Sequence, residues 1–407
     1  MRILRTLRLC STLSDSDDRD NMRMIYLDNS ATTPLSDSSK AKIAETVEIF
    51  GNPSSLHSEG QRAHATVETA RSQIMTALGV RARDARFVFT SCGTEATALA
   101  LYGTAYAKKR RDANVILTTD SEHPATEKVL QRLENDGFEV VRLSTRGGDF
   151  DMRELDAALS KKIFLATFMT VNNETGAIYP VKEAFAKIKR RYPDAITHTD
   201  AIQAFMKIPF TPQSIGADLI SVSGHKLHAP KGVGGLYIAP ELIKAKKIIP
   251  FLDGGGQESG LRSGTENVIG IAAFGAAVAD IYARRAEISQ KLSDLGAYAR
   301  EKLSALDVKI NTPVRAAEHI ISVTLPDIKS ETMLHKLSGD GIFVSSGSAC
   351  SSHSHSVSGV LLAFGLSERD ADCTLRVSLS EYNSREDIDA LCAALDDGIK
   401  NLVRIRR

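Results

Sequence analysis

Between residues 86 and 239, short apolar runs alternate with segments whose apolar residues recur every three or four positions. The runs fall at 86–90, 114–118, 138–143, 163–171, 195–199, 218–223 and 235–239. Their length and continuity predict buried strands. Between them, Val129, Leu130 and Leu133, and then Val181, Ala184, Phe185 and Ile188, mark the apolar faces of helices. Such alternation predicts a largely parallel sheet covered by helices on both faces. A helical pattern with charged breaks then runs from about 266 to 306. Strands are predicted near 24–28, 320–325, 342–345 and 374–378, and a last helix opens on the capping-box sequence Ser384-Arg385-Glu386-Asp387. The expected organisation is α/β: a leader at 1–21, a large domain with a mainly parallel sheet at 36–284, and a smaller α+β C-terminal domain at 285–407 that includes an arm at 22–35.

Composition narrows the class. The chain has 407 residues, 43% hydrophobic and 25% charged, enough for two domains whose cores need no staples. A formal net charge of +1 gives no electrostatic case for nucleic acid or an anionic membrane surface. The most apolar long stretch, 268–282, is broken by Asp280 and is too short to span a bilayer. Five scattered cysteines, Cys10, Cys92, Cys350, Cys373 and Cys392, argue against a disulfide framework and for a reducing compartment, so a cytoplasmic location is expected. Arg2, Arg5 and Arg8 among leucines faintly resemble a mitochondrial presequence, a pattern that Asp15, Asp17, Asp18 and Asp20 interrupt. The leader is expected to be disordered or mis-started; a mitochondrial location would follow only if it is genuine.

The chemistry collects at strand ends. In an open α/β sheet, the ligand crevice lies outside the carboxyl ends of the strands. Asp200 ends one predicted strand, and Ser223-Gly224-His225-Lys226 follows another. A lysine and an aspartate placed there suit pyridoxal phosphate, the amine forming a Schiff base and the carboxylate pairing with the pyridine nitrogen. Cys92-Gly93-Thr94 lies between a strand and a helix, where backbone N–H groups and a hydroxyl can hold a phosphate. His123 could lay its ring over a planar cofactor, and Asn172 and Asn173 offer amides at the same edge. Gln203 completes the set. Each residue alone reads as an ordinary cap or loop residue; five strand ends supplying complementary groups do not.

These residues carry a family resemblance spanning 25–402. Its motifs include Tyr26-Leu27-Asp28-Asn29-Ser30-Ala31-Thr32-Thr33, Asn172-Asn173-Glu174-Thr175-Gly176, Ser223-Gly224-His225-Lys226, Arg262-Ser263-Gly264-Thr265 and Ser345-Ser346-Gly347-Ser348-Ala349-Cys350. The chain resembles the pyridoxal phosphate-dependent cysteine desulfurases of the NifS/IscS type, within the class V aminotransferases. The resemblance implies fold type I, the aspartate aminotransferase-like architecture. It implies that Lys226 forms the Schiff base, Asp200 faces the pyridine nitrogen, Gln203 bonds the ring hydroxyl and His123 stacks on the ring. Thr94, Ser223 and His225 would hold the phosphate with backbone help at Gly93, and Thr265 would reach it from the second subunit of a homodimer. Asn173 and Arg376 would bind the substrate carboxylate, although Arg376 also suits a salt-bridged strand position.

Cys350 is the implied nucleophile, set in a small, polar segment suited to moving sulfur between cofactor and acceptor. The implied reaction converts L-cysteine to L-alanine and leaves a persulfide on Cys350 for a sulfur-acceptor protein, such as an iron–sulfur scaffold. Local deprotonation by His123 is expected to help the thiol. Three departures qualify the likeness. Ser356-Val357 stand where an acid and a proline are usual, and Leu362 stands where an arginine often follows. The third is the end at Arg407 without an IscS-type tail, which favours the NifS-like branch. Cys92 occupies a usually small position near the phosphate. Competing readings are a selenocysteine lyase of the same fold, a transaminase that leaves Cys350 idle, and a non-enzymatic metal- or sulfur-binding module. Cys350, His353 and His355 lack an evident fourth ligand, so no metal site is expected.

Overall fold

The structure, a computed structural model, describes residues 23–81, 85–107, 113–346 and 357–405. A short strand β1 (Ile25–Tyr26) precedes the main sheet. Among the described residues that sheet has seven strands: β2 (Arg86–Thr90), β3 (Val115–Thr119), β4 (Glu139–Leu143), β5 (Ile163–Met169), β6 (Ile196–Asp200), β7 (Leu219–Ser223) and β8 (Gly234–Ile238). Their spatial order is β2-β8-β7-β6-β5-β3-β4. The pairings from β7 through β6, β5 and β3 to β4 are parallel, and β8 runs antiparallel to both β7 and β2. All seven residues of β5 are buried, as expected of a strand covered on both faces.

Helices complete the cover. Val268–Ala283 is apolar nearly all round and packs against Asp37–Thr46 and Ser58–Ala77. Gly275 makes that crossing possible, since a Cβ there would fall 2.6 Å from the Ala70 Cα. The helical pattern expected over 266–306 is two helices, Val268–Ala283 and Arg285–Ser304. They part at Arg284, whose backbone leaves the helical region and whose guanidinium turns back to Asp280.

A second sheet, in the order β12-β13-β10-β9, is built from β9 (Lys309–Ile310), β10 (Ile320–Thr324), β12 (Ser345–Ser346) and β13 (Thr374–Ser378), with β11 (Ile342–Phe343) lying outside it. The single strand expected at 342–345 is therefore divided. Ile342–Phe343 pairs in parallel with β1, while Ser345–Ser346 pairs with Arg376 and Leu375 of β13. The strand expected at 24–28 is likewise only two residues, and Asp28 continues it as a lone bridge to Ser378. The last helix, Arg385–Asn401, opens on the capping box that Ser384 and Asp387 form. Among the described residues no helix is long and apolar enough to cross a membrane.

Candidate active site

The parallel strands β2, β7, β6, β5 and β3 end on one edge of the main sheet, and the segments that follow them enclose a cavity of about 380 Å³. Gly93, Thr94, His123, Asn173, Asp200, Gln203, Ser223, His225, Lys226 and Arg376 all line it, with Ser30 and Ala31 from the amino-terminal arm. Lys226 sits on the single turn Gly224–Lys226 that follows β7. Its ammonium donates to the Ser30 and Ala31 carbonyls, the latter at 2.7 Å. Among the described residues it is the cavity's only lysine.

Asp200 is 5% exposed, and its Oδ1 accepts the Ile202 N–H at 2.9 Å. Burial pushes its pKa up to about 6, against the lowering effects of that hydrogen bond and of Lys226. Burial holds His123 down to about 4, and the charges of Lys226 and Arg376 add to the shift. The His123 Nδ1 accepts the Ala125 N–H at 3.1 Å, so the neutral ring carries its hydrogen on Nε2. His225 is held near 4 by burial and then by Lys226 and Lys231, and its Nδ1 lies 3.3 Å from the Thr32 hydroxyl. Gln203 donates from Nε2 to the Ser30 carbonyl at 3.0 Å.

The helix Gly93–Ala105 starts at the cavity with no side chain capping its first N–H groups. The backbone is crowded there. A Cβ on Gly93 would lie 2.3 Å from Ile202 Cδ1, and one on Gly234 would lie 2.6 Å from the Cys92 carbonyl carbon. The absent Cβ at Gly234 lets β8 meet the backbone at the start of this helix, and the one at Gly93 leaves room for the Ile202 side chain.

Arg376 is buried in β13. It donates to the Asn173 carbonyl and, in an ion pair, to Asp28 Oδ1, both at 2.9 Å. Burial raises the Asp28 pKa although Arg376 opposes it. Four polar atoms of lining residues are buried without a hydrogen-bond partner: Ser30 Oγ, Asn173 Oδ1, Ser223 Oγ and Arg376 Nε. An isolated buried polar group is costly, and four such atoms on residues that line one cavity suit a site that takes a polar guest.

Thr265 does not line this cavity; it is exposed, in a separate shallow hollow with Thr90 and Ser91. Its segment is tied to the helix Gly93–Ala105 by the Arg262–Glu95 ion pair at 2.7 Å. Cys350, His353 and His355 lie outside the described residues. Among the described residues no group of three or more His, Cys, Asp or Glu is placed to hold a metal.

Several contributors escaped the sequence reading. The Ser30 and Ala31 carbonyls have no side-chain signature, and Asp28 and Glu122 stood out by motif or not at all. Glu122 accepts the Met169 N–H and the Thr119 hydroxyl beside His123, and burial pushes its pKa up to about 8. Glu174 bonds Ser358 and is raised by burial to about 7.

Known proteins resemble this chain over nearly its whole length. The aminotransferase class-V family model matches residues 25–391. A cysteine desulfurase of Trichormus azollae is 36% identical over 386 residues, covering 94% of each chain. The cysteine desulfurase IscS of Dictyoglomus turgidum is 37% identical over 391 residues, covering 93% of this chain and 95% of its own. A solved NifS-like protein superposes with a TM-score of 0.86 at 33% identity, covering 93% of this chain and all of its own. With sheet order, strand-end chemistry and nearly full-length similarity in agreement, the chain belongs to the class-V aminotransferase family, as an enzyme of its NifS/IscS-type cysteine desulfurase branch.

Proposed function

We propose that the chain holds pyridoxal phosphate on Lys226 and uses it to convert L-cysteine to L-alanine, with the sulfur passing to Cys350. The observation that carries this reading is the cavity itself, lined by one lysine, one buried aspartate and four residues that hold unpartnered buried polar atoms. The residues fit the cofactor. Ser223 Oγ, Thr94 and the uncapped helix start suit a phosphate, and Asp200 suits a protonated pyridine nitrogen. The second hydrogen on Gln203 Nε2 suits the ring hydroxyl. When bound, pyridoxal phosphate supplies a sink for the electron pair left as the Cα–H bond of an amino acid breaks.

The chain's residues do the rest. Lys226 is placed to carry a proton to and from the substrate Cα. Arg376 and Asn173 take the substrate carboxylate, Arg376 through a guanidinium edge that Asp28 already orients. His123 covers the ring. Its Nδ1 accepts the Ala125 N–H, which holds the imidazole in place there. In the net transfer the C–S bond of cysteine breaks, an S–S bond to Cys350 forms and Cβ gains a proton. The products are alanine and a persulfide, and no outside oxidant is needed. The persulfide then serves a sulfur acceptor, in iron–sulfur cluster or other thio-cofactor assembly.

Purified chain loaded with pyridoxal phosphate is expected to release alanine from L-cysteine in the presence of a thiol reductant. Parallel assays with selenocysteine decide the substrate: turnover confined to selenocysteine would replace this reading with a selenocysteine lyase.

The exposed Thr265, outside its own chain's cavity, is assigned to the phosphate of a second copy. Mixing inactive Lys226→Ala chains with inactive Thr265→Ala chains should therefore regenerate one intact site per mixed dimer and restore part of the activity. A monomer by light scattering at micromolar concentration would end the shared-site proposal.

A further inference from the structure

Two strands that carry the site part company before they reach it. β3 faces β5 only as far as Leu117, opposite Ala166, although it stays paired with β4 to Thr119. β5 continues beside β6 until Met169 stands opposite Asp200. There the Thr170 N–H bonds the Asp200 carbonyl, while the Met169 N–H turns to the segment after β3. Met169 is buried, so an unpaired N–H at this point would be costly.

Side chains close the gap in both directions. From the segment after β3, Glu122 Oε1 accepts the Met169 N–H at 2.9 Å and the Thr119 hydroxyl at 2.8 Å. Its Oε2 accepts the same N–H at 3.1 Å. From the segment after β5, Asn172 Nδ2 donates to the Ser121 carbonyl at 3.2 Å. Neither end is loose. Asn172 Oδ1 accepts the Glu174 and Thr175 N–H groups, both at 2.9 Å, and so shapes its own turn. Ser121 Oγ lies 2.7 Å from the Tyr179 hydroxyl and accepts the Thr145 hydroxyl at 2.9 Å. Glu122 and Asn172 are both buried. Because Oε1 can take both donors whether or not Oε2 carries a proton, the contact does not turn on the acid's charge.

Each of these two residues is followed directly by one that lines the cavity. His123 succeeds Glu122 and caps the helix Pro124–Asn135. Asn173 succeeds Asn172, and its carbonyl accepts Arg376. A shift of either segment would carry its cavity residue with it. We propose that Glu122 and Asn172 are positioning residues, a reciprocal clasp that fixes the spacing of His123 and Asn173 where β3 and β5 no longer do. Its benefit to catalysis rests on His123 covering the cofactor ring and Asn173 taking the substrate carboxylate; the clasp itself does not.

Glu122→Gln and Glu122→Met test it as a pair of similar size. The first keeps an acceptor, and the second puts a thioether there, at best a weak one. In the native chain, hydrogen exchange should find the Met169 amide slow although β3 does not face it. A fast amide there overturns the proposal without any variant. In Glu122→Met that amide should exchange on the order of tenfold faster, the scale of one lost hydrogen bond, and in Glu122→Gln it should stay near native. Loaded with pyridoxal phosphate, Glu122→Met should show altered visible circular dichroism, the signature of a differently seated ring. Its kcat/KM for cysteine should be roughly 10²-fold lower, the scale on which small misplacements act. Glu122→Gln should match the native chain in both. Leu155→Ala, at a fully buried position of the helix Met152–Ala158, should loosen the fold and leave the dichroism unchanged. An equal change in Leu155→Ala overturns the positioning role, as does a Glu122→Gln chain as impaired as Glu122→Met. So does native exchange, or native dichroism and turnover, in Glu122→Met. Should borohydride fix pyridoxal phosphate to a lysine other than Lys226, the cofactor reading falls, and the Met169 exchange still decides the clasp.

Discussion

Lys226→Ala is expected to lose covalently held pyridoxal phosphate and to lower alanine formation by at least about 10³-fold, within the range a positioned acid–base group contributes. The reason is that nothing else in the cavity can replace it. Among the described residues no second lysine lines the space, and the amine is already aimed by two carbonyls of the arm. The variant should fold, since it leaves two backbone carbonyls facing a cavity large enough for water rather than a packed core. Borohydride reduction followed by peptide mapping checks the assignment. A pyridoxyl adduct on any other lysine of the native chain refutes it, as does an alanine variant that turns over at the native rate.

What the sequence made legible follows from where information is local. The segments at 86–90 and 374–378 coincide with β2 and β13, because both are rich in β-branched and aromatic or aliphatic residues and are bounded by chain that leaves the sheet. The run at 163–171 stays apolar past the strand, yet β5 stops at Met169 and Val171 bridges Ile178 instead. Hydrophobicity registers burial there, not pairing. The division of 342–345 was invisible for the same reason: adjacent residues take different partners, β1 and β13, that are distant in the chain.

The site shows the same limit. A strand followed by a short polar segment could be found by pattern, which led to Gly93, Thr94, His123, Asn173, Asp200, Gln203, Ser223, His225 and Lys226. Arg376 and Thr265 stood out only through the family resemblance, since one lies inside a strand and the other in an exposed loop. Asp28 and Glu122 were missed as site contributors because an acid's burial is a tertiary property. The direction of His123 depended on a backbone amide two residues away that no residue type encodes.

Cys350→Ser is expected to separate cofactor chemistry from sulfur transfer. The residues on either side of its segment reach the site. Ser345 stands opposite Arg376 across β12 and β13, and Ser358 donates to Glu174, the neighbour of Asn173. Cys350 is four residues past Ser346 in the sequence. Serine preserves size and polarity but gives no appreciable alkoxide, whereas an unperturbed thiol has a pKa of about 8.5. The variant should keep the spectrum of bound pyridoxal phosphate and its change on adding cysteine. Alanine release should fall roughly 10³-fold or more, the scale on which losing a nucleophile acts. The other described cysteines serve as controls. Cys373 and Cys392 are buried, and desolvation raises both thiols to about 11, so their serine variants should retain substantial turnover. Cys92 is the demanding control, because it lines the cavity at the start of the helix Gly93–Ala105. Sulfur from labelled cysteine should appear as reducible persulfide on the Cys350 peptide alone. Label on Cys92, or near-native alanine release by Cys350→Ser, would overturn the assignment. Loss on cysteine with activity kept on selenocysteine would show that selenium can leave this site without a thiol to receive it.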